Sequence, residues 1–251
     1  MKKKIVSLML ASAMLASVFT GCSFGGHEEA IEKNAYKFMK AATDADKDKI
    51  DKCVTKHAKE KNEEFLESFN SENFNSSMSY QLEAVGDSLA SQLGDTSKKH
   101  ELSDESKKSI EELSKQISKD YIKSFEVKKV EEDKDKKTAV VEVKAKFGYT
   151  EDEVRNLFDE DELAEYAESL VTKNQDKYIS YIQNGEVDKL VDEYLGEYVP
   201  GAIKKIQDRF SKCKGETKTL FLEMKPTDDK QENWKVDLVK EKKLKSSKSS
   251  K

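Results

Sequence analysis

The chain has 251 residues, with 45 Lys and Arg against 50 Asp and Glu, for a formal net charge of −5. Of its basic residues only Arg155 and Arg209 are arginine, the side chain suited to bidentate contacts with phosphates and base edges. An acidic, arginine-poor chain excludes a nucleic-acid binder as the reading, and its length holds one domain with a sizeable core or two small ones.

Lys2, Lys3 and Lys4 open the chain, an apolar run from Ile5 to Val18 follows, and then Phe19-Thr20-Gly21-Cys22. A run of about 14 apolar residues is shorter than the roughly 20 needed to span a bilayer. Positive charge, short apolar run and small residues in that order read as a cleaved secretory signal. The cysteine at its end makes the segment resemble a bacterial lipoprotein signal; the alternative is an ordinary signal peptide with a spare cysteine. The resemblance implies that Cys22 is the lipidated mature N-terminus, with membrane lipid as its partner at the extracytoplasmic face of the cell membrane. Two or three acyl chains hold stably where one is marginal. Removing residues 1–21 takes away three lysines and moves the net charge from −5 to −8. Residues 22–27 then form the lipidated cysteine and a short flexible tether.

Ile31, Ala35, Phe38, Met39 and Ala42 recur at helical spacing, which predicts a helix from Glu28 to Thr43. A second is predicted from Asp46 to Lys59, capped by Asp44 or Asp46, with residues 60–69 continuing it as a helix or a kinked extension. Ser71 to Ser77 is polar and Asn/Ser-rich and reads as a loop. Met78, Leu82, Val85, Leu89 and Leu93 mark the next helix, and Ser103 begins a longer one striped with Ile110, Leu113, Ile117 and Tyr121.

The period changes to two at Phe125. Ala139, Val141, Val143, Ala145, Phe147 and Tyr149 lie on one face, Glu142, Lys144 and Lys146 on the other, and the charged turn 131–136 joins this strand to its predecessor as a hairpin. Helical spacing returns from Glu151 to about Cys213, with breaks at Asn184-Gly185 and Pro200-Gly201 and a stop at Lys214-Gly215. Leu220, Leu222 and Met224, a turn at residues 226–230, and Trp234, Val236 and Leu238 form a second hairpin. Residues 240–251 are rich in Lys and Ser and predict a disordered tail.

Helices, hairpin, helices, hairpin is the order of an α+β domain, because helices segregated from antiparallel hairpins pack on one sheet face. The two hairpins pair into a four-stranded antiparallel sheet within a single domain, residues 28–239, with a large helical insert at residues 150–215. Three segments carry a resemblance: the opening helix pair with Phe38-Met39-Lys40-Ala41-Ala42 and Asp46-Lys47-Asp48-Lys49-Ile50; the hairpin with Phe125-Glu126-Val127 and Ala139-Val140-Val141; and the closing Asn233-Trp234-Lys235-Val236-Asp237-Leu238. Together they resemble a family of Gram-positive lipoproteins with a domain of undefined role, similar to the cystatin-like cone of the nuclear-transport-factor superfamily. That resemblance implies helices packed in the concave face of a curved sheet and brings no catalytic residue with it.

Cys53 lies on a stripe with Ile50, Val54 and His57, and Cys213 on one with Ile203, Ile206 and Phe210. A Cys53–Cys213 disulfide, two buried thiols and reactive chemistry all stay open, since the outside of the membrane permits disulfides. Cys53 and His57 are four residues apart on one helix face, which suits a nucleophile and its base or two metal ligands, but a zinc site needs further ligands and only His27 and His100 remain. Asp44-Ala45-Asp46-Lys47-Asp48 begins like a calcium loop and then places Lys49 where glycine is needed and Thr55 where glutamate is needed. Asp159 to Glu162 with Glu165 reads as an acidic helix start. Ser211-Lys212-Cys213-Lys214 matches the serine–lysine pattern of penicillin-recognising enzymes without its companion motifs. Tyr166, Tyr178, Tyr181, Tyr194 and Tyr198 fit either a peptide- or sugar-binding face or amphipathic core positions. The tail lysines, Lys240 to Lys251, suit an anionic lipid or wall polymer.

No catalytic set, cofactor or metal site emerges. The leading expectation is a non-enzymatic, membrane-anchored binding or interaction module of the cell envelope, with a small ligand or an envelope protein as partner. A scaffold role through the helical insert is second. An enzyme using a cone pocket is third.

Overall fold

The computed structural model describes residues 27–94 and 99–241. The signal segment, Cys22, the tether before His27 and the tail from residue 242 lie outside the described residues. In chain order the elements are α1 (Glu28–Thr43), α2 (Lys47–Cys53), α3 (Lys56–Lys61), α4 (Glu63–Glu67), α5 (Ser71–Gln92), α6 (Asp104–Asp120), β1 (Ile122–Asp133), β2 (Thr138–Phe147), α7 (Glu151–Arg155), a 3₁₀ turn (Asn156–Phe158), α8 (Glu160–Lys173), α9 (Gln175–Gln183), α10 (Val187–Phe210), β3 (Thr217–Pro226) and β4 (Trp234–Lys240).

The fold is α+β. The two hairpins form one antiparallel sheet in the order β1-β2-β3-β4, with Val141 opposite Leu222 and Val143 opposite Leu220. Ala139, Val141, Val143, Ala145, Leu220, Leu222 and Met224 are buried on one face. Period-two patterning places these residues on that face while Val140 and Phe221 take the other, half-buried face, and α1 covers the buried one with Ile31, Ala35, Phe38, Met39 and Ala42. This first core takes in the sheet and α1–α4. A second core forms among the helices, from Ile110 and Leu113 of α6, Leu157, Tyr178 of α9 and the buried stripe Leu190–Val191–Leu195–Val199 of α10. The helical insert therefore packs mainly on α5 and α6 rather than on the sheet.

Four expectations are corrected. First, the helix expected over residues 46–59 divides at Val54. Val54 is extended, its neighbour Thr55 donates its N–H to the Val236 carbonyl at 2.9 Å, and the Thr55 hydroxyl caps α3 by accepting from Ala58 N–H at 3.1 Å. Two β-branched residues and a strong N-cap favour the break, and the bridge to β4 covers an otherwise open sheet edge. Asp46, not Asp44, caps α2, accepting from Lys49 N–H at 3.0 Å.

Second, residues 71–77 are helical. Asn70 caps α5, and Phe74 extends the stripe of Met78, Leu82 and Leu89 into the second core, so burial overrides polar composition.

Third, α10 runs through Pro200-Gly201 without stopping. Pro200 has no N–H to give the Gly196 carbonyl, and the helix continues past that missing bond. The flanking Val199, Ala202 and Ile203 are buried.

Fourth, Trp234, Val236 and Val239 are the buried apolar residues of β4, where alternation predicts Leu238. Leu222 faces Val239 and Glu223 faces Leu238, but Met224 faces Val236, so Asp237 is the extra residue of a β-bulge.

Candidate functional site

The two cores meet where three chain segments cross. Tyr121 ends α6 and leads into β1, Phe147 ends β2 and leads to Tyr149, and Gly215-Glu216 leads into β3. Phe147 N–H bonds the Glu216 carbonyl at 2.8 Å and Gly148 N–H bonds the Tyr121 carbonyl at 3.2 Å. The crossing is too tight for side chains at its glycines: a Cβ on Gly148 would lie 2.1 Å from the Asp120 carbonyl oxygen, and one on Gly215, which has φ +63°, 2.0 Å from that of Phe147.

An aromatic ladder crosses the same junction. Ring centroids run Phe69–Tyr121 5.2 Å, Tyr121–Phe147 5.3 Å, Tyr121–Tyr149 5.8 Å and Tyr149–Phe210 5.4 Å. Tyr149 donates its hydroxyl to the Ile117 carbonyl at 3.1 Å, satisfying an acceptor in the last turn of α6. Burial pushes both the Tyr121 and Tyr149 phenols up from their ordinary values, so both remain protonated donors.

Beside this ladder lies a cleft of ≈ 570 Å³, floored by Phe65, Tyr121, Phe147 and Tyr149 and walled by the carboxylates of Glu64, Glu67, Glu151, Glu216 and Glu241 with Arg155 and Lys218. Lys218 pairs with Glu216 at 3.1 Å and Glu241 at 3.2 Å, and its Nζ stands 5.5 Å from the Phe147 ring centroid. Burial works against its charge, but the two carboxylates outweigh that cost and hold the ammonium above the ordinary lysine pKa.

Two polar clusters lie elsewhere. Asp237, 5% exposed in the bulge, accepts from the Thr55 hydroxyl at 2.7 Å and pairs with Lys225 at 2.7 Å and His57 at 3.2 Å. Burial opposes its charge, yet Lys225 and Thr55 outweigh it and hold the carboxyl below the usual range. The Thr55 hydroxyl donates to Asp237 and accepts from Ala58, so it anchors α3 to β4 rather than standing ready as a nucleophile. His100, 2% exposed, has Nδ1 3.0 Å from Asp192 and Nε2 3.5 Å from Asp188, while its backbone N–H bonds Asp87 at 2.9 Å, joining the start of α6's approach to α5 and α10.

The break at Val54 separates the Cys53–His57 pair: Cys53 packs against the first core and His57 turns to Asp237. Cys213 packs against the second core, and both cysteines are free thiols, so the structure does not join them as a disulfide. Asp44 pairs with Lys40 at 2.6 Å. Asp159 caps α8, and Glu162 meets Lys205 and Arg209, which ties this acidic start to α10. Ser211 bonds the Asp208 carbonyl at a helix end. Tyr166, Tyr198 and Tyr194 stack in series, with centroids 5.8 and 5.5 Å apart, along the α8–α10 contact. Among the described residues, no group of three or more His, Cys, Asp and Glu side chains is placed to hold a metal ion, and no helix is long and apolar enough to cross a membrane.

Comparison with protein-family models, with curated proteins and with solved structures finds no match.

Sequence reading missed the cleft, because its floor and walls come from five separated segments. Tyr121, Phe147 and Tyr149 each carried an apolar-stripe assignment, and only the junction turns them toward one space. Asp237 had one local signal: Leu238-Val239, two adjacent apolar residues in an alternating strand, marks a bulge.

A second surface stands out on the helical insert. Val85, Leu89, Val171, Ile182 and Tyr194 line an apolar groove of ≈ 420 Å³ between α5, α8, α9 and α10, and Val85, Val171, Ile179 and Ile182 are exposed.

Proposed function

We propose that this chain is a lipid-anchored, extracytoplasmic binding module of the cell envelope, non-enzymatic, holding its ligand in the cleft between the sheet and the helical insert. The observation that carries the reading is the cleft: concave, floored by aromatic rings, and placed at the contact of two cores, where ligand sites concentrate. The signal-like segment 1–21 supports the anchor, which is the lipid on Cys22. A binding rather than catalytic role is supported by the use to which the polar groups are put. Thr55, Asp237 and His57 clamp a helix to a strand, and His100 clamps three helical segments.

Native mass spectrometry of the full chain, extracted from its own envelope in mild detergent, tests the binding role. A bound mass released on unfolding and absent from Tyr121→Ala supports it; a chain carrying only its lipid counts against it. Detergent phase separation tests the anchor: the full chain partitions to the detergent phase and Cys22→Ala to the aqueous phase. Equal partition of both forms refutes lipidation.

The second reading, a scaffold for an envelope complex, is favoured by one observation, the apolar groove with exposed Val85, Val171 and Ile182. Its expected occupant is an amphipathic helix of a partner protein, and Val171→Glu would abolish that association while leaving the cleft intact.

A further inference from the structure

The chemistry of the cleft selects among ligand classes. Five carboxylates face two cations around an aromatic floor, so an anion entering meets net repulsion, and a neutral apolar molecule strips water from charged walls without replacing its hydrogen bonds. A cation gains on both surfaces, from the carboxylates and from the negative faces of the rings. The chain already shows this contact made by one of its own side chains: the Lys218 ammonium stands 5.5 Å from the Phe147 centroid, between Glu216 and Glu241. Glu64 and Glu151 line the same cleft and are exposed, leaving a second stretch of acidic wall beside Tyr121 and Tyr149.

We propose that the cleft takes an organic ammonium group carried on an apolar chain, the chemistry shared by a peptide lysine side chain and a free alkylamine. The proposal rests on the cleft being the binding site described above. The apolar chain lies on the aromatic floor, and the ammonium reaches the Glu64 and Glu151 wall. Lys218 acts as an internal competitor for the Phe147 ring, so its removal frees a seat for the incoming cation.

An NMR titration of the full chain in detergent micelles, reading the ring resonances of Tyr121 and Tyr149, tests this with pentylammonium, pentanol and pentanoate, three probes of equal length and different charge. The expected result is saturable shifts with pentylammonium alone. Glu64→Gln with Glu151→Gln weakens that binding at least threefold, and Lys218→Met strengthens it; all three positions are exposed or half-buried, and circular dichroism checks that the fold is kept. A lysine-containing tripeptide is the fourth probe: binding tighter than pentylammonium assigns the ammonium to a polypeptide, and weaker binding assigns it to a free amine, both in support. Pentanol or pentanoate binding as tightly as pentylammonium overturns the ammonium class and leaves the cleft as a binding site. Pentylammonium affinity unmoved by the variants also overturns it. Silence of both rings with all four probes overturns the class and the cleft reading together.

Discussion

Tyr121 and Tyr149 lie with ring centroids 5.8 Å apart, and between them the two cores of the molecule become continuous. Tyr121 makes edge-to-face contacts with Phe147 and Phe69 of the first core, and Tyr149 meets Phe210 of the second at a tilt. The same rings floor the cleft, so the side chains that join the cores also shape the proposed site.

Tyr149→Phe keeps the ring and loses the bond to the Ile117 carbonyl, and it should cost about 1 kcal/mol of unfolding free energy. Tyr149→Ala opens the ladder as well and should cost about 3 kcal/mol or more. Urea unfolding monitored by circular dichroism measures both; equal costs would show that the ring contributes nothing beyond its hydroxyl.

Asp237 gives a pH dependence of defined sign. Its carboxyl is held below its ordinary range in the folded chain, so the stability it contributes is present above the unfolded value, about pH 4, and is lost as pH falls through the folded value. Asp237→Asn should destabilise by about 2 kcal/mol at neutral pH, and the gap from the natural chain should narrow below about pH 4. A gap of constant size from pH 7 to pH 3 contradicts the Asp237–Lys225–Thr55 account.

Two glycines of α10 should respond oppositely to alanine. Nothing stands within 4 Å of a Cβ on Gly196, so Gly196→Ala should stabilise by about 1 kcal/mol through helix propensity. A Cβ on Gly201 would lie 1.8 Å from the Tyr166 hydroxyl oxygen, which bonds the Glu197 carbonyl at 3.2 Å, so Gly201→Ala must displace that ring. In a Tyr166→Ala background the same change should become stabilising. Thermal denaturation of the four combinations closes the cycle; additivity would show that Tyr166 and Gly201 do not interact.

Burial pushes the Cys53 and Cys213 thiols up from their ordinary value, which lowers their thiolate fraction at neutral pH. Both should alkylate slowly in the folded chain and fully in urea without any reductant. Two alkylations appearing only after reduction would establish the disulfide that the structure does not make.

The sheet was legible because period two is unambiguous over β2: Ala139, Val141, Val143 and Ala145 alternate with charged or half-buried neighbours, and no helix satisfies that pattern. Helix ends were legible where a cap acts locally, as at Ser103 and Asp159. Other features depend on partners far along the chain. Val54 breaks its helix for Val236, Asn70 starts a helix whose Phe74 is needed by the second core, and Pro200 is carried by the packing of Val199 and Ile203. The cleft belongs to this second kind, since Glu64, Tyr121, Tyr149 and Lys218 are far apart in the chain and line one space only in the folded structure.

The most direct test is a crystal structure of the full chain purified from its native envelope and never unfolded. The account predicts electron density from a bound molecule on the Tyr121 and Tyr149 rings, within reach of the carboxylate wall of Glu64 and Glu151. A cleft closed by its own side chains, with density lying instead along Val85, Val171 and Ile182, would contradict it and make the helical insert the functional surface.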